Sequence, residues 1–307
     1  SLPDELAHLQ QLKQLYLSNN KLFFTPLNPK IGQLKGLQRL DLSSNQLEEL
    51  PAEMSNLASL EFLDISKNTF KTLPPELGQM SNLSSLNICE NNLRSLPPEF
   101  SNMKNLREFY CSSNQIVAFP EDMGNLAALS TLEAGFNKFQ TLPESITSCI
   151  GLTKLDLRDN PVLTEIPSLG SFKNLSILSL RNTQLDFIPG LGELLGLTEL
   201  DLRDNPKITS IPPEVITLKG LTKLIFFGNR LSQIPPEIGG LMGLQVLDLR
   251  NNELVASSFP DEMGALKSLK KLFVANNQLT AFPTVCLQLS GLVELDVANN
   301  AITSLPA

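Results

Sequence analysis

Tryptophan is absent from this chain, histidine occurs once (His8), tyrosine twice (Tyr16 and Tyr110) and cysteine only four times in 307 residues. No stretch approaches the ~18 consecutive apolar residues that a membrane helix needs, and Ser1-Leu2-Pro3-Asp4 lacks the charged and apolar regions of a secretory leader. Positive charge is also scarce: 24 Lys and Arg face 32 Asp and Glu, a formal net charge of −8. That balance opposes binding to nucleic acid or approach to an anionic leaflet, both of which favour a clustered cationic excess. At 42% hydrophobic and 18% charged the chain is too apolar for a disordered tail, so it holds an extended core. It is expected to have no membrane insertion, no nucleic-acid partner, and no metal or cofactor.

What the sequence does have is leucine at a fixed spacing. The pattern L-x-x-L-x-L-x-x-N starts at Leu12, Leu37, Leu60, Leu83, Leu106, Leu129, Leu152, Leu175, Leu197, Leu221, Leu244, Leu269 and Leu292, with intervals of 22 to 25 residues. Self-similarity at ~23 residues is the signature of a solenoid in which each unit buries its leucines against its neighbours. Within Leu37-x-x-Leu40-x-Leu42 the fourth- and sixth-place leucines point inward from a short strand and the residue between them points out. Stacking such strands in parallel gives one sheet of about 13 strands.

A polar column runs beside the leucines: Asn20, Asn45, Asn68, Asn91, Asn114, Asn137, Asn160, Asn205, Asn229, Asn252, Asn277 and Asn300, with Thr183 the one departure. An amide both donates and accepts, so at the turn leaving each strand it can pair backbone groups that would otherwise be buried unpaired at ~1–3 kcal/mol each. Proline-containing returns follow, such as Leu50-Pro51-Ala52-Glu53-Met54 and Ile234-Pro235-Pro236-Glu237-Ile238. Proline fixes φ and removes a donor, which favours an extended or single-turn return over a long helix. Thr183, the short 22-residue interval at its unit, and the flanking Asn160-Pro161 and Asn205-Pro206 predict a local irregularity in curvature there.

These L-x-x-L-x-L-x-x-N-x-L-x-x-L-P-x-x-I-x-x-L units resemble the leucine-rich-repeat superfamily across essentially the whole chain. The Leu-Pro on the return, as at Leu73-Pro74, Leu96-Pro97 and Leu142-Pro143, is similar to intracellular Ras-associated scaffolds, the plant intracellular Ras-group proteins and the repeat regions of Roco-type GTPases. It departs from the L-x-G-x-I-P of plant receptor kinases. The resemblance implies an α/β solenoid: a horseshoe with a parallel concave sheet and irregular or short-helical convex returns, spanning residues 1–307. That makes 12 complete units with partial units at both ends and terminal caps missing. It also implies a protein–protein interaction scaffold in intracellular signalling, with a small GTPase or a phosphatase as the partner on the concave face. The alternatives are a ligand-recognition domain of an extracellular or immune receptor, and the substrate-recognition module of a larger enzyme.

The scattered cysteines point to a reducing, cytoplasmic compartment. Cys111, Cys149 and Cys286 occupy apolar places and read as core, whereas Cys89 faces outward. Cys89 and Cys111 sit on adjacent strands but on opposite faces, which disfavours a disulfide. Two glycosylation triplets, Asn82-Leu83-Ser84 and Asn174-Leu175-Ser176, favour the extracellular alternative.

Chemistry is sparse. Any histidine relay must use His8, and three strand spacings of ~4.8 Å put Cys89 ~14 Å away, whereas a nucleophile and its base need ~3 Å. No C-x-x-C, H-E-x-x-H, G-x-S-x-G or phosphate loop occurs, and Gly190-Leu191-Gly192-Glu193-Leu194-Leu195-Gly196 misses the dinucleotide spacing by one residue. Asp201 and Asp204 lie on an open sheet with nothing to desolvate them. No catalytic residue is assigned, and the chain is expected not to be an enzyme.

The outward sheet face remains. Its fifth-place column reads Tyr16, Asp41, Asp64, Asn87, Tyr110, Glu133, Asp156, Ser179, Asp201, Ile225, Asp248, Phe273 and Asp296. The seventh-place column changes character at the seventh unit, where small residues give way to Arg158, Arg181, Arg203, Phe227 and Arg250. Arginine and aromatics anchor protein interfaces, so the partner-binding set is Tyr110, Phe136, Arg158, Arg181, Arg203, Ile225, Phe227, Arg250 and Phe273. The competing reading is a self-neutralising ladder of Asp156 with Arg158, Asp201 with Arg203 and Asp248 with Arg250. Arg181, whose strand neighbour is Ser179, stands outside that ladder, and Ile225, Phe227 and Phe273 are expected to be exposed without intramolecular partners.

Overall fold

The computed structural model describes residues 2–22 and 27–306. Each repeat contributes one three-residue strand at its third to fifth places. These are β1 (Gln14–Tyr16), β2 (Arg39–Asp41), β3 (Phe62–Asp64), β4 (Ser85–Asn87), β5 (Glu108–Tyr110), β6 (Thr131–Glu133), β7 (Lys154–Asp156), β8 (Ile177–Ser179), β9 (Glu199–Asp201), β10 (Lys223–Ile225), β11 (Val246–Asp248), β12 (Lys271–Phe273) and β13 (Glu294–Asp296). They form an open 13-stranded parallel sheet in chain order. Between strands the chain returns through single 3-10 turns, such as Pro75–Gln79 and Pro236–Gly240, entered from an extended proline. The short returns follow from those prolines.

Contacts group the chain into two compact units, Ser1–Val162 with β1–β7 and Leu163–Ala307 with β8–β13. In the first, Leu40, Leu63, Leu86, Phe109, Leu132 and Leu155 lie in register and are fully buried. In the second, Leu178, Leu200, Leu224, Leu247 and Leu272 do the same. Phenylalanine fills the space behind the first unit's strands: the Phe100 and Phe109 rings are 4.6 Å apart, and Phe119 and Phe139 4.4 Å. Cys111, Cys149 and Cys286 are buried as expected, Cys89 is half-buried, and all four are free thiols. Burial pushes the Cys89, Cys149 and Cys286 thiols each to about 11.

The asparagine column does what its chemistry demands. Asn114 donates from Nδ2 to the carbonyls of Ile88 (2.9 Å) and Cys111 (3.1 Å), and its Oδ1 accepts the Leu93 N–H at 3.0 Å. One side chain thus ties its own turn to the turn before it, and Asn45, Asn68, Asn91, Asn137 and Asn252 repeat the pattern. At the departure, Thr183 directs its N–H (2.9 Å) and hydroxyl (2.7 Å) to Asn205 Oδ1. The next step is shifted as well, since Asn229 Oδ1 accepts the Asn205 N–H at 2.7 Å. The hydrogen-bond register of the column therefore changes at Thr183 and Asn205.

One conformational rule escaped the sequence reading. The residue before each ladder position is left-handed: twelve non-glycine residues, from Asn19 to Asn299, have φ between 50° and 59°, and Gly228 has 71°. Most are Asn, Asp or Ser, which tolerate that region; Phe136, at 54°, is the bulky exception.

Candidate functional site

The fifth-place column divides into two kinds of residue. Asp41, Asp64, Asn87, Asp156, Asp201, Asp248 and Asp296 each accept, through a side-chain oxygen, the N–H two residues further on, at 2.8 to 3.2 Å. These acids close the turn that ends the strand, a local i to i+2 pattern. Tyr110, Glu133, Ile225 and Phe273 have no such duty and are available to a partner to the extent that they are exposed.

In the first unit, the predicted residues Tyr110, Phe136 and Arg158 lie on β5 and just beyond β6 and β7. Tyr110 is half-buried, and burial, with Glu108 and Glu133 nearby, raises its hydroxyl above the usual value. Phe136 is 48% exposed, and the Arg158 guanidinium sits 5.6 Å from its ring centroid. Gly135 makes room for this arrangement, because a Cβ there would lie 2.9 Å from Arg158 Cγ. Arg158 Nε stands 3.4 Å from Asp156 Oδ2, an ion pair whose Nε–H is enclosed yet makes no hydrogen bond. Asp156 is buried, and that burial raises its carboxyl despite the Arg158 N–H it accepts. Lys154 pairs with Glu133 at 2.6 Å on the same face.

In the second unit, Arg250 is the centre. It forks onto Asp248, Nε to Oδ1 at 3.0 Å and Nη2 to Oδ2 at 2.6 Å, and its guanidinium lies 5.5 Å from the Phe227 ring and 4.9 Å from the Phe273 ring. Arg203 forks onto Asp201 in the same way, at 2.9 and 3.0 Å from Nε. Hydrogen bonding to these carboxylates raises both guanidinium groups further.

Three sequence expectations change here. Ile225 is 8% exposed, so it supports the face from below instead of presenting apolar surface. Arg181 is not outside the charge ladder: its Nε reaches Asp204 Oδ2 of the next repeat at 3.2 Å. Phe227 and Phe273 do have an intramolecular partner, since both face Arg250. All four arginines are therefore paired with carboxylates, as in the self-neutralising ladder, and two of them, Arg158 and Arg250, also face aromatic rings. The sequence reading also missed Arg39, stacked 3.5 Å from the Phe62 ring centroid; both occupy the third place, which strand alternation puts on the same face. Among the described residues no group of three or more His, Cys, Asp or Glu could hold a metal ion, and no helix is long and apolar enough to cross a membrane.

A parallel ladder with one short strand per repeat, an amide column tying successive turns, and one sheet face left uncovered define a repeat solenoid whose open sheet presents its side chains to solvent. The chain belongs to the leucine-rich-repeat family: it matches the leucine-rich repeat region over residues 1–115 and 26–156, and leucine-rich repeats over 195–254 and 243–266. No curated protein matches it. Among solved structures it is similar to a leucine-rich-repeat protein of Leptospira interrogans, at 32% identity and TM-score 0.80, covering 100% of this chain and 83% of that one. It is similar to the plant peptide hormone receptor RGFR1 in complex with RGF2 at 27% identity and TM-score 0.74, covering 100% of this chain and 54% of that one. Drosophila Toll, in its complex with Spatzle, matches at 26% identity and TM-score 0.81, covering 98% and 43%. The chain thus spans about half the length of the two receptors. The RGFR1 and Toll structures are complexes, with RGF2 and with Spatzle.

Proposed function

We propose that the chain holds a partner protein on the open face of its sheet, as a cytoplasmic interaction scaffold in signalling, and that it carries out no catalysis itself. The observation that supports this most directly is the Phe227–Arg250–Phe273 cluster: one guanidinium fixed by a carboxylate and faced by two aromatic rings on an uncovered sheet. Phe136 and Arg158 form a second such pair in the first unit, with Tyr110 on β5 of the same sheet. Aromatic and arginine side chains with few conformations left to lose make efficient anchors. The resemblance of the Leu-Pro returns suggests a small GTPase or a phosphatase as the partner, and four free thiols suit a reducing compartment. A second reading, recognition of an extracellular ligand, is favoured by the similarity to the RGF2 and Spatzle receptors.

Affinity capture tests the proposal. Wild type is compared with a variant carrying Arg158→Gln, Arg181→Gln, Arg203→Gln and Phe227→Ala, each first shown to fold by circular dichroism. A cytosolic protein captured by wild type and lost by the variant is expected. Equal capture by both would contradict binding on this face, and capture only from extracellular fluid would favour the second reading.

A further inference from the structure

The edge of the second unit where the chain enters its strands differs in charge from the unit as a whole. Residues 163–307 contain 11 Lys and Arg against 14 Asp and Glu, so the unit is net −3. Yet the second residue before each repeat's first leucine reads Lys173, Leu195, Lys219, Met242, Lys267 and Ser290. The row beside it is Asn174, Gly196, Gly220, Gly243, Ser268 and Gly291, and the second-place row is Ser176, Thr198, Thr222, Gln245, Lys270 and Val293. These three rows of six hold four lysines and no carboxylate.

The rows are adjacent in space as well as in pattern. Second-place residues are joined by backbone bonds, Thr222 N–H to the Thr198 carbonyl at 2.9 Å, Gln245 to Thr222 and Lys270 to Gln245 at 2.8 Å, and Val293 to Lys270 at 2.8 Å. Along this edge the apolar side chains protrude: Leu195 is 63% exposed and Met242 69%. Lys173 pairs with Glu193 at 3.0 Å. Lys219 Nζ donates to the Gly240 carbonyl at 3.1 Å and Lys267 Nζ to that of Gln288 at 2.8 Å, which uses one of each ammonium's three donors. Four of the unit's 14 acids stand at the starts of the 3-10 turns, at Glu214, Glu237, Asp261 and Glu262, while Glu199 and Glu294 in the third-place row beside the edge are paired with Lys223 and Lys271. Five residues at ~2 Å rise put Glu214 ~10 Å from Lys219, about one screening length at 0.1 M salt.

We propose that this edge rests on an anionic lipid surface, with the lysines at the headgroups and Leu195 and Met242 entering the boundary between headgroups and acyl chains. Protruding apolar side chains alternating with lysines suit a fluid interface that closes around each of them, whereas a folded protein partner would need a matching pocket for each. The net charge that opposes this binding at long range is screened at physiological salt, leaving the local edge to decide. The surface is separate from the open sheet face, so either proposal can fail alone.

Co-sedimentation with phosphatidylcholine vesicles, with and without phosphatidylserine, tests it. Binding is expected only to the phosphatidylserine vesicles and is expected to fall as salt rises. Changing Lys219, Lys267 and Lys270 to Gln should weaken it about five-fold per lysine. The pair Leu195→Ser and Met242→Ser, which leaves the charge unchanged, should weaken it about ten-fold or more. No sedimentation, equal sedimentation without phosphatidylserine, insensitivity to both sets of variants, or preferential binding of soluble polyglutamate would each overturn the proposal.

Discussion

At the scale of single residues, two positions separate stability from presentation. Asn114 ties two turns together, so Asn114→Ala orphans the buried Leu93 N–H and takes one of two amide donors from each of the Ile88 and Cys111 carbonyls, which still accept from Asn91 and Asn137. A loss of about 1–3 kcal/mol in chemical denaturation is expected, the cost of one buried group left without a partner. Phe136 is the opposite case. It occupies the left-handed place that Asn19, Asn182, Asn251, Asn276 and Asn299 fill elsewhere, so Phe136→Asn should raise stability by up to about 1 kcal/mol after loss of the Arg158 stacking. A melting temperature lowered by that substitution would show that the aromatic ring serves the fold and not a ligand. Asp156 gives a pH test. Its carboxyl is raised by burial, so the native state holds its proton more tightly than the unfolded chain does. This group therefore subtracts stability as pH rises from the ordinary carboxylate value through the raised one, and the penalty is fully present above it. Asp156→Asn keeps the oxygen that accepts the Arg158 N–H, as Asn87 does for Cys89, and should flatten that part of the stability–pH curve.

At the scale of the repeat, the strand-ending turn is the element with the least freedom. Gly228 is left-handed at 71°, and a Cβ there would overlap Asp204 Oδ1. Gly228→Ala should destabilise by about 1–3 kcal/mol, while Gly243→Ala, whose nearest Cβ neighbour would be 3.5 Å away, should change stability little. Equal denaturation midpoints for the two variants would contradict the turn geometry. Much of this element is legible from leucine spacing alone, because burying one side of a strand fixes which residues face in. The asparagine ladder is legible too, since few side chains both donate and accept at a turn. The left-handed place was not read, although its run of Asn, Asp, Ser and Gly carries the signal, because Lys67, Glu90 and Phe136 interrupt it. The turn-closing duty of seven Asp and Asn positions in the fifth-place column was not read either, since an exposed acid on a strand face carries no mark of the N–H it accepts two residues on. The Arg181–Asp204 pair was missed because it crosses from the seventh place of one repeat to the eighth of the next.

At the scale of the molecule, composition and distribution point different ways. A net charge of −8 describes the far field, yet the second unit's strand-entry edge is cationic and its open face holds arginines against carboxylates. What the fold adds is fixed geometry: Arg250 is held by Asp248 with rings near it, so little side-chain freedom remains to be lost on binding. The most direct test of the central claim is site-specific photo-crosslinking in lysate, with the crosslinker replacing Phe227 on the open face in one protein and Glu237 on a return turn in another. One discrete crosslinked partner is expected from position 227 and none of that mass from position 237. The same product from both positions, or a product from position 237 alone, would contradict that claim.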